Sequence, residues 1–128
     1  DIGDLAFLHD SNSFLTARNH AKNLTIIVNN NQGGQVFSLL PQAKNLKNIY
    51  DEWFISEQKN ISVENLAKSY GCVYYLSKNT EDFKKIIDDS KNIKGVKIIE
   101  VQYPKNEYSN LSNVYKNLVK KIEAKIYE

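Results

Sequence analysis

Methionine is absent from this 128-residue chain, cysteine occurs once, at Cys72, and Arg18 is the sole arginine. One cysteine excludes an internal disulfide framework and suits a reducing compartment, so a cytoplasmic location is expected. Long hydrophobic runs are also missing. Runs such as Leu24-Thr25-Ile26-Ile27-Val28 are far too short to cross a bilayer, and no signal-peptide pattern opens the chain. Neither charge dominates: 17 basic against 15 acidic residues give a formal net charge of +2. That balance predicts neither a nucleic-acid partner nor a membrane surface. With no methionine and an abrupt start at Asp1-Ile2-Gly3-Asp4, the chain is expected to be a piece of a longer polypeptide. What is present is ordinary globular composition, 41% hydrophobic and 25% charged, enough for a single domain, 1–128, with one core.

Short β-rich runs alternate with helix-period segments. The run from Leu24 to Val28 reads as a strand buried on both faces and ends in Asn29-Asn30-Asn31. Ahead of it, a helix is expected from about His9 to His20, carrying Phe14, Leu15 and Ala17. The stretch Gln42 to Asn60 is polar, and its Tyr50, Trp53 and Phe54 are spaced to share one helical face as core residues. Ser62 is a candidate N-cap, followed by Val63, Leu66, Ala67 and Tyr70 at helical spacing, with Gly71 at the C′ position. Cys72 to Leu76 reads as a strand, Thr80 as the cap of a helix bearing Phe83, Ile86 and Ile87, and Val96 to Val101 as a further strand. Leu111, Val114, Tyr115, Leu118, Ile122 and Ile126 predict a long terminal helix. The rhythm implies an α/β fold, a mainly parallel sheet flanked by helices on both faces and truncated at its N-terminus.

In open parallel sheets, ligands bind beyond the carboxyl ends of the strands. Two loops are expected there: Gly3-Asp4-Leu5-Ala6, and Asn30-Asn31-Gln32-Gly33-Gly34. A carboxylate at Asp4, an amide oxygen at Asn31 and a free carbonyl near Gly33 are hard oxygen donors of the kind Mg²⁺ uses beside phosphate. Backbone N–H groups from Gly3 to Ala6 favour phosphate charge, while Gly33 and Gly34 let the chain come close.

Gly3-Asp4 followed about 26 residues later by Asn30-Asn31 resembles the thiamine-diphosphate binding motif. Gly-Asp-Leu-Ala-Phe-Leu-His-Asp (3–10), Leu-Thr-Ile-Ile-Val (24–28) and Asn-Asn-Gln-Gly-Gly-Gln-Val-Phe-Ser-Leu-Leu-Pro-Gln (30–42) are similar to one family, 2-succinyl-5-enolpyruvyl-6-hydroxy-3-cyclohexene-1-carboxylate synthase. The likeness continues weakly through 50–54 and 66–71. It implies that Asp4, Asn31 and the Gly33 carbonyl hold Mg²⁺ (or Mn²⁺). It implies further that Gly3, Leu5 and Gly34 join them around the thiamine diphosphate, and that Val36, Phe37 and Leu40 form an apolar wall of the substrate pocket. Ala6 departs from a common serine, and Gln35 from a frequent glycine; neither change removes a metal donor. The family decarboxylates 2-oxoglutarate and adds the product to isochorismate in menaquinone or phylloquinone biosynthesis. Its activating glutamate lies in a separate N-terminal domain, so no catalytic residue is expected in this chain, which should be inactive alone. A homodimer or homotetramer is expected of the full-length protein.

Other readings stand beside these. Asp4 could cap a helix, and Asn29-Asn30-Asn31 could be a plain turn. His9 and Asp10 read as structural, His20 as solvated and Cys72 as core. Another thiamine-diphosphate carboligase or decarboxylase remains an alternative, as does a non-catalytic Rossmann-like binding module.

Overall fold

The computed structural model describes residues 1–35, 37, 40, 43, 45, 49–55, 60–103, 114, 117–120 and 122–123. Two compact units divide the chain: Asp1–Gly33 with Gln58–Tyr103, and Gly34–Glu57 with Pro104–Glu128.

The first unit contains β1 (Ile2–Gly3), α1 (Asp4–His9), α2 (Ser13–His20) and β2 (Asn23–Asn30). The second contributes α3 (Tyr50–Phe54), after which the first unit resumes with α4 (Val63–Ser69), β3 (Val73–Ser77), α5 (Thr80–Ser90) and β4 (Gly95–Gln102). The four strands form one all-parallel sheet in the order β1-β2-β4-β3. β4 therefore lies between β2 and β3, paired with β2 from Asn23↔Gly95 to Asn30↔Gln102 and with β3 from Val73↔Lys97 to Ser77↔Val101. Side chains alternate across the sheet. Val28, Val96 and Ile98 join Phe7, Phe14, Val63, Ala67 and Cys72 in one core. Ile99 and Lys97, on the other side of β4, are equally buried, and α5 packs against β3 and β4.

Local chemistry explains the element ends. The Ser62 hydroxyl accepts from Asn65 N at 3.1 Å, making it the N-cap of α4. That helix closes with Gly71 N donating to Lys68 O and Cys72 N to Ala67 O, both at 2.9 Å. This pair of bonds requires the left-handed φ of 70° at Gly71. Phe14 sits between Phe7 and Tyr70, with ring centroids 5.2 and 5.6 Å away. Cys72 is a buried core residue, and burial pushes its thiol up despite the nearby Arg18 charge.

Several expectations need correction. The helix placed from about His9 is two helices, one already begun at Asp4 and the second starting at Ser13. Asp10, Ser11 and Asn12 interrupt them: Ser13 Oγ donates to Asp10 O at 2.7 Å, an alternative to the helical ladder that such short polar residues favour. The cap of α5 is Asn79 rather than Thr80. Its Oδ1 accepts from Asp82 N at 2.8 Å, and its Nδ2 donates to the Asp82 carboxylate at 3.1 Å. β2 is not buried on both faces: only Val28 is fully enclosed, and Leu24 is 36% exposed. α1 packs against β2, while Asn23, Leu24 and Thr25 at the amino end remain exposed.

In the second unit, Tyr50 stacks on Phe54 at 5.3 Å and Phe54 meets Phe37 edge-on at 6.5 Å. Tyr50 is buried, but Trp53 is 75% exposed, so the aromatic trio is not the shared core face expected of it. Val114, Leu118 and Ile122 are helical and half exposed; Leu111, Tyr115 and Ile126 of the expected terminal helix lie outside the described residues.

Candidate metal and diphosphate site

The site grows from the pairing of β1 with β2. Gly3 lies opposite Asn29, so the turn from β1 into α1 and the loop leaving β2 emerge side by side at the carboxyl edge of the sheet. Asp4, the first residue of α1, is 5% exposed. Its Oδ1 accepts from Leu5 N at 2.8 Å, and its Oδ2 accepts from the buried Gly33 N at 2.7 Å. The first bond is local, to the next residue of α1, whose N-cap is Gly3 with no side-chain cap bond, so Asp4 is not the helix cap. The second crosses 29 positions of sequence and ties the two loops together.

The second loop has a defined shape. Asn30 Oδ1 accepts from Gln32 N at 2.9 Å, an Asx turn in which the side chain stands in for backbone. Gln32 and Gly33 then take positive φ values of 64° and 130°. Glycine adopts that geometry without a Cβ penalty, whereas Gln32 must be held in it. Within this bend the Asn31 Oδ1 is buried and has no hydrogen-bond partner among the described residues. A buried amide oxygen left unpaired costs about 1–3 kcal/mol, which makes it the clearest indication of an absent donor or cation.

Among the described residues, no cluster of three or more His, Cys, Asp or Glu exists. A soft or carboxylate-rich metal site is therefore not what these residues build. One carboxylate, one amide oxygen and a main-chain carbonyl fit a hard divalent cation that takes few protein donors and completes its shell with water and phosphate. The residues present fit Mg²⁺.

The remaining site residues fall as follows. Gly3 precedes α1 in extended conformation, φ −75° and ψ 159°. Gly34 is half-buried at the start of the second unit. Phe37 and Leu40, also in that unit, are 48% and 45% exposed, and Val36 lies outside the described residues. His9, Asp10 and His20 are exposed.

Sequence reasoning missed a polar network next to the loop. Glu100, on β4, is 3% exposed. Its Oε1 accepts from Asn30 Nδ2 at 2.6 Å and from Gln102 Nε2 at 3.0 Å, and its Oε2 accepts from the Tyr74 hydroxyl at 2.5 Å. Burial, then the hydrogen bond and charge of Glu100, then the charge of Glu64 push the Tyr74 phenol up from its ordinary value, so it stays a donor. The network borders a cavity of about 420 Å³ whose lining includes Leu8, Gln32, Val63 and Glu64. The available signal was a charged residue inside the otherwise apolar stretch Ile98-Ile99-Glu100-Val101 of β4; a buried glutamate needs partners.

Residues 2–101 match the family described as thiamine pyrophosphate enzyme, C-terminal TPP binding domain, and the chain belongs to that family of cofactor-binding α/β domains. More particularly, it is similar to proteins named 2-succinyl-5-enolpyruvyl-6-hydroxy-3-cyclohexene-1-carboxylate synthase. It is 38% identical to that of Listeria welshimeri over 112 residues, 88% of this chain and 19% of the relative. With that of Geobacillus kaustophilus the identity is 32% over 127 residues, 99% and 22%. With that of Crocosphaera subtropica it is 35% over 100 residues, 78% and 17%. The chain thus spans about a fifth of the length of the curated relatives it matches. No helix among the described residues is long and apolar enough to cross a membrane.

Proposed function

We propose that this chain is the part of a thiamine-diphosphate-dependent synthase that holds Mg²⁺ and the cofactor diphosphate. The reaction is decarboxylation of 2-oxoglutarate and addition of the resulting four-carbon unit to isochorismate, in menaquinone or phylloquinone biosynthesis. The names of the relatives and the family match support this reading. The observation that carries it is the bond from Gly33 N to Asp4 Oδ2, which fixes a loop whose Asn31 Oδ1 is buried and unpaired.

Bound thiamine diphosphate supplies the electron sink that decarboxylation needs, and protein supplies orientation and electrostatics. Asp4, Asn31 and the Gly33 carbonyl hold Mg²⁺, with Mn²⁺ as a substitute, and Gly3, Leu5 and Gly34 border the diphosphate. Asp4 places its negative charge where it offsets the cation, and the Gly33 N–H keeps that carboxylate oriented. By the resemblance, Val36, Phe37 and Leu40 would supply an apolar wall of the substrate pocket, keeping water from the reacting carbon. No side chain of this chain serves as acid or base. The activating glutamate comes from another domain, so the chain alone is inactive, and the whole protein works as a cytoplasmic homodimer or homotetramer.

The test is thiamine diphosphate binding to the whole protein, by calorimetry with Mg²⁺ present, for Asp4→Ala and Asn31→Ala. Loss of affinity by about 10–100-fold or more, with the unfolding midpoint retained in Asn31→Ala, is expected. Affinity equal to the unaltered protein in both variants overturns the assignment. Turnover of pyruvate alone, without isochorismate, would redirect it to another carboligase or decarboxylase.

A further inference from the structure

The buried carboxylate of Glu100 has no role in the function proposed above. It bonds to neither Asp4 nor Gly33, and among the described residues no lysine or arginine forms an ion pair with it. It borders a cavity, yet three donors already occupy it: Asn30 Nδ2, Gln102 Nε2 and the Tyr74 hydroxyl. A carboxylate satisfied in this way makes little demand on a ligand. What it determines is the placement of Asn30.

The two ends of the Asn30 amide are held differently. Its Nδ2 is fixed by Glu100, and its Oδ1 receives Gln32 N. Because a planar amide cannot rotate one end without the other, holding Nδ2 aims Oδ1. That acceptor draws Gln32 into its left-handed φ of 64°, a conformation a non-glycine residue keeps only when its surroundings impose it. Gln32 in turn places Gly33 N on Asp4. The chain of contacts runs from Tyr74 on β3, through Glu100 on β4, to Asn30 at the end of β2, and out into the loop. The links to Glu100 are partly buried, where hydrogen bonds to a charged acceptor gain strength.

We infer that Glu100, oriented by Tyr74, is a positioning residue that sets the shape of the Asn30–Gly33 loop and so presents Asn31 and Gly33 to the metal. The inference deepens the proposed function and rests on it. Partners one shell out from metal donors typically govern affinity by 10–100-fold.

The experiment uses the whole protein carrying this chain and reads Mn²⁺ affinity by electron paramagnetic resonance with thiamine diphosphate present. It also reads amide hydrogen exchange at Gln32 and Gly33 without metal. Glu100→Ala should weaken Mn²⁺ binding about 10–100-fold and speed exchange at both amides. Glu100→Gln retains an acceptor for Asn30, and its amide can donate to the Tyr74 oxygen, so it should recover most of the affinity. Tyr74→Phe, which keeps the ring and its packing, should weaken binding by about three- to tenfold and provides the reading if Glu100→Ala does not fold. Unchanged Mn²⁺ affinity and unchanged exchange in Glu100→Ala and Tyr74→Phe overturn the positioning role while leaving the metal site standing. Unchanged affinity in Asn31→Ala as well overturns the metal site, and the relay with it.

Discussion

The two ends of β2 and β4 use the same device for different purposes. At the amino end, Lys97 is 1% exposed; its Nζ donates to Asn23 Oδ1 and, at 2.6 Å, to Ile93 O. At the carboxyl end, Glu100 receives Asn30 Nδ2. In each case a buried charge on β4 is answered by an asparagine on β2, and the two charges lie on opposite faces of the sheet. The amino-end group closes on itself: the lysine ties the turn after α5 to β2. At the carboxyl end the asparagine passes its second polar atom onward into a loop, and that loop contains the unpaired Asn31 Oδ1. One end closes within the fold and the other leads into the loop of the proposed site, at the edge where parallel sheets place ligands.

Two substitutions test that division. Lys97→Met keeps the buried stem but strands Asn23 Oδ1 and Ile93 O, and should lower stability by about 2 kcal/mol, measured by urea unfolding. Its Mn²⁺ affinity in the folded protein should match the unaltered one; a fall would show that the two ends are coupled rather than separate. Gly33→Ala places a Cβ at a φ of 130° and should cost about 1–3 kcal/mol. Here metal affinity should drop together with stability, and a stability loss with full affinity would break the link between loop shape and metal.

The smallest effect concerns pH. The Tyr74 phenol is raised above the ordinary value of 10.0 in the folded chain. Its contribution is therefore complete below pH 10.0 and declines as pH rises beyond it, because the unfolded phenol loses its proton first. Tyr74→Phe should flatten this alkaline part of the stability profile, while the parent falls more steeply above pH 10.0. Parallel profiles would mean that the hydroxyl of Tyr74 is not held by Glu100 in solution.

The fold was largely legible because its signals are local. Ser62 and Gly71 bracket α4 as their capping chemistry requires, and the strand runs appear within a residue or two of their observed limits. Errors arose where two short polar residues competed for one position. Asn79 rather than Thr80 caps α5, since its side-chain oxygen reaches Asp82 N while Asp82 reaches back. Asp4 and Asn31 stood out by spacing and resemblance. Glu100 did not, because its partner Asn30 is 70 positions away and only the register of two parallel strands brings them together. Trp53 misled for another reason: hydrophobicity identifies a side chain that gains from burial, without saying what covers it.

The strand order carries a consequence for how the chain is made. β4 follows the other three strands in sequence yet lies between β2 and β3, and it pairs with β2 across a separation of 72 residues, Asn23 with Gly95. Until a ribosome has released the segment ending at Gln102, β2 and β3 have no strand between them and expose unpaired edges. Contacts of such long range form slowly, and open edges invite association with other chains. Glu100 arrives on that same strand, so the loop that presents Asn31 takes its shape only after β4 has emerged, some 70 residues behind the loop itself.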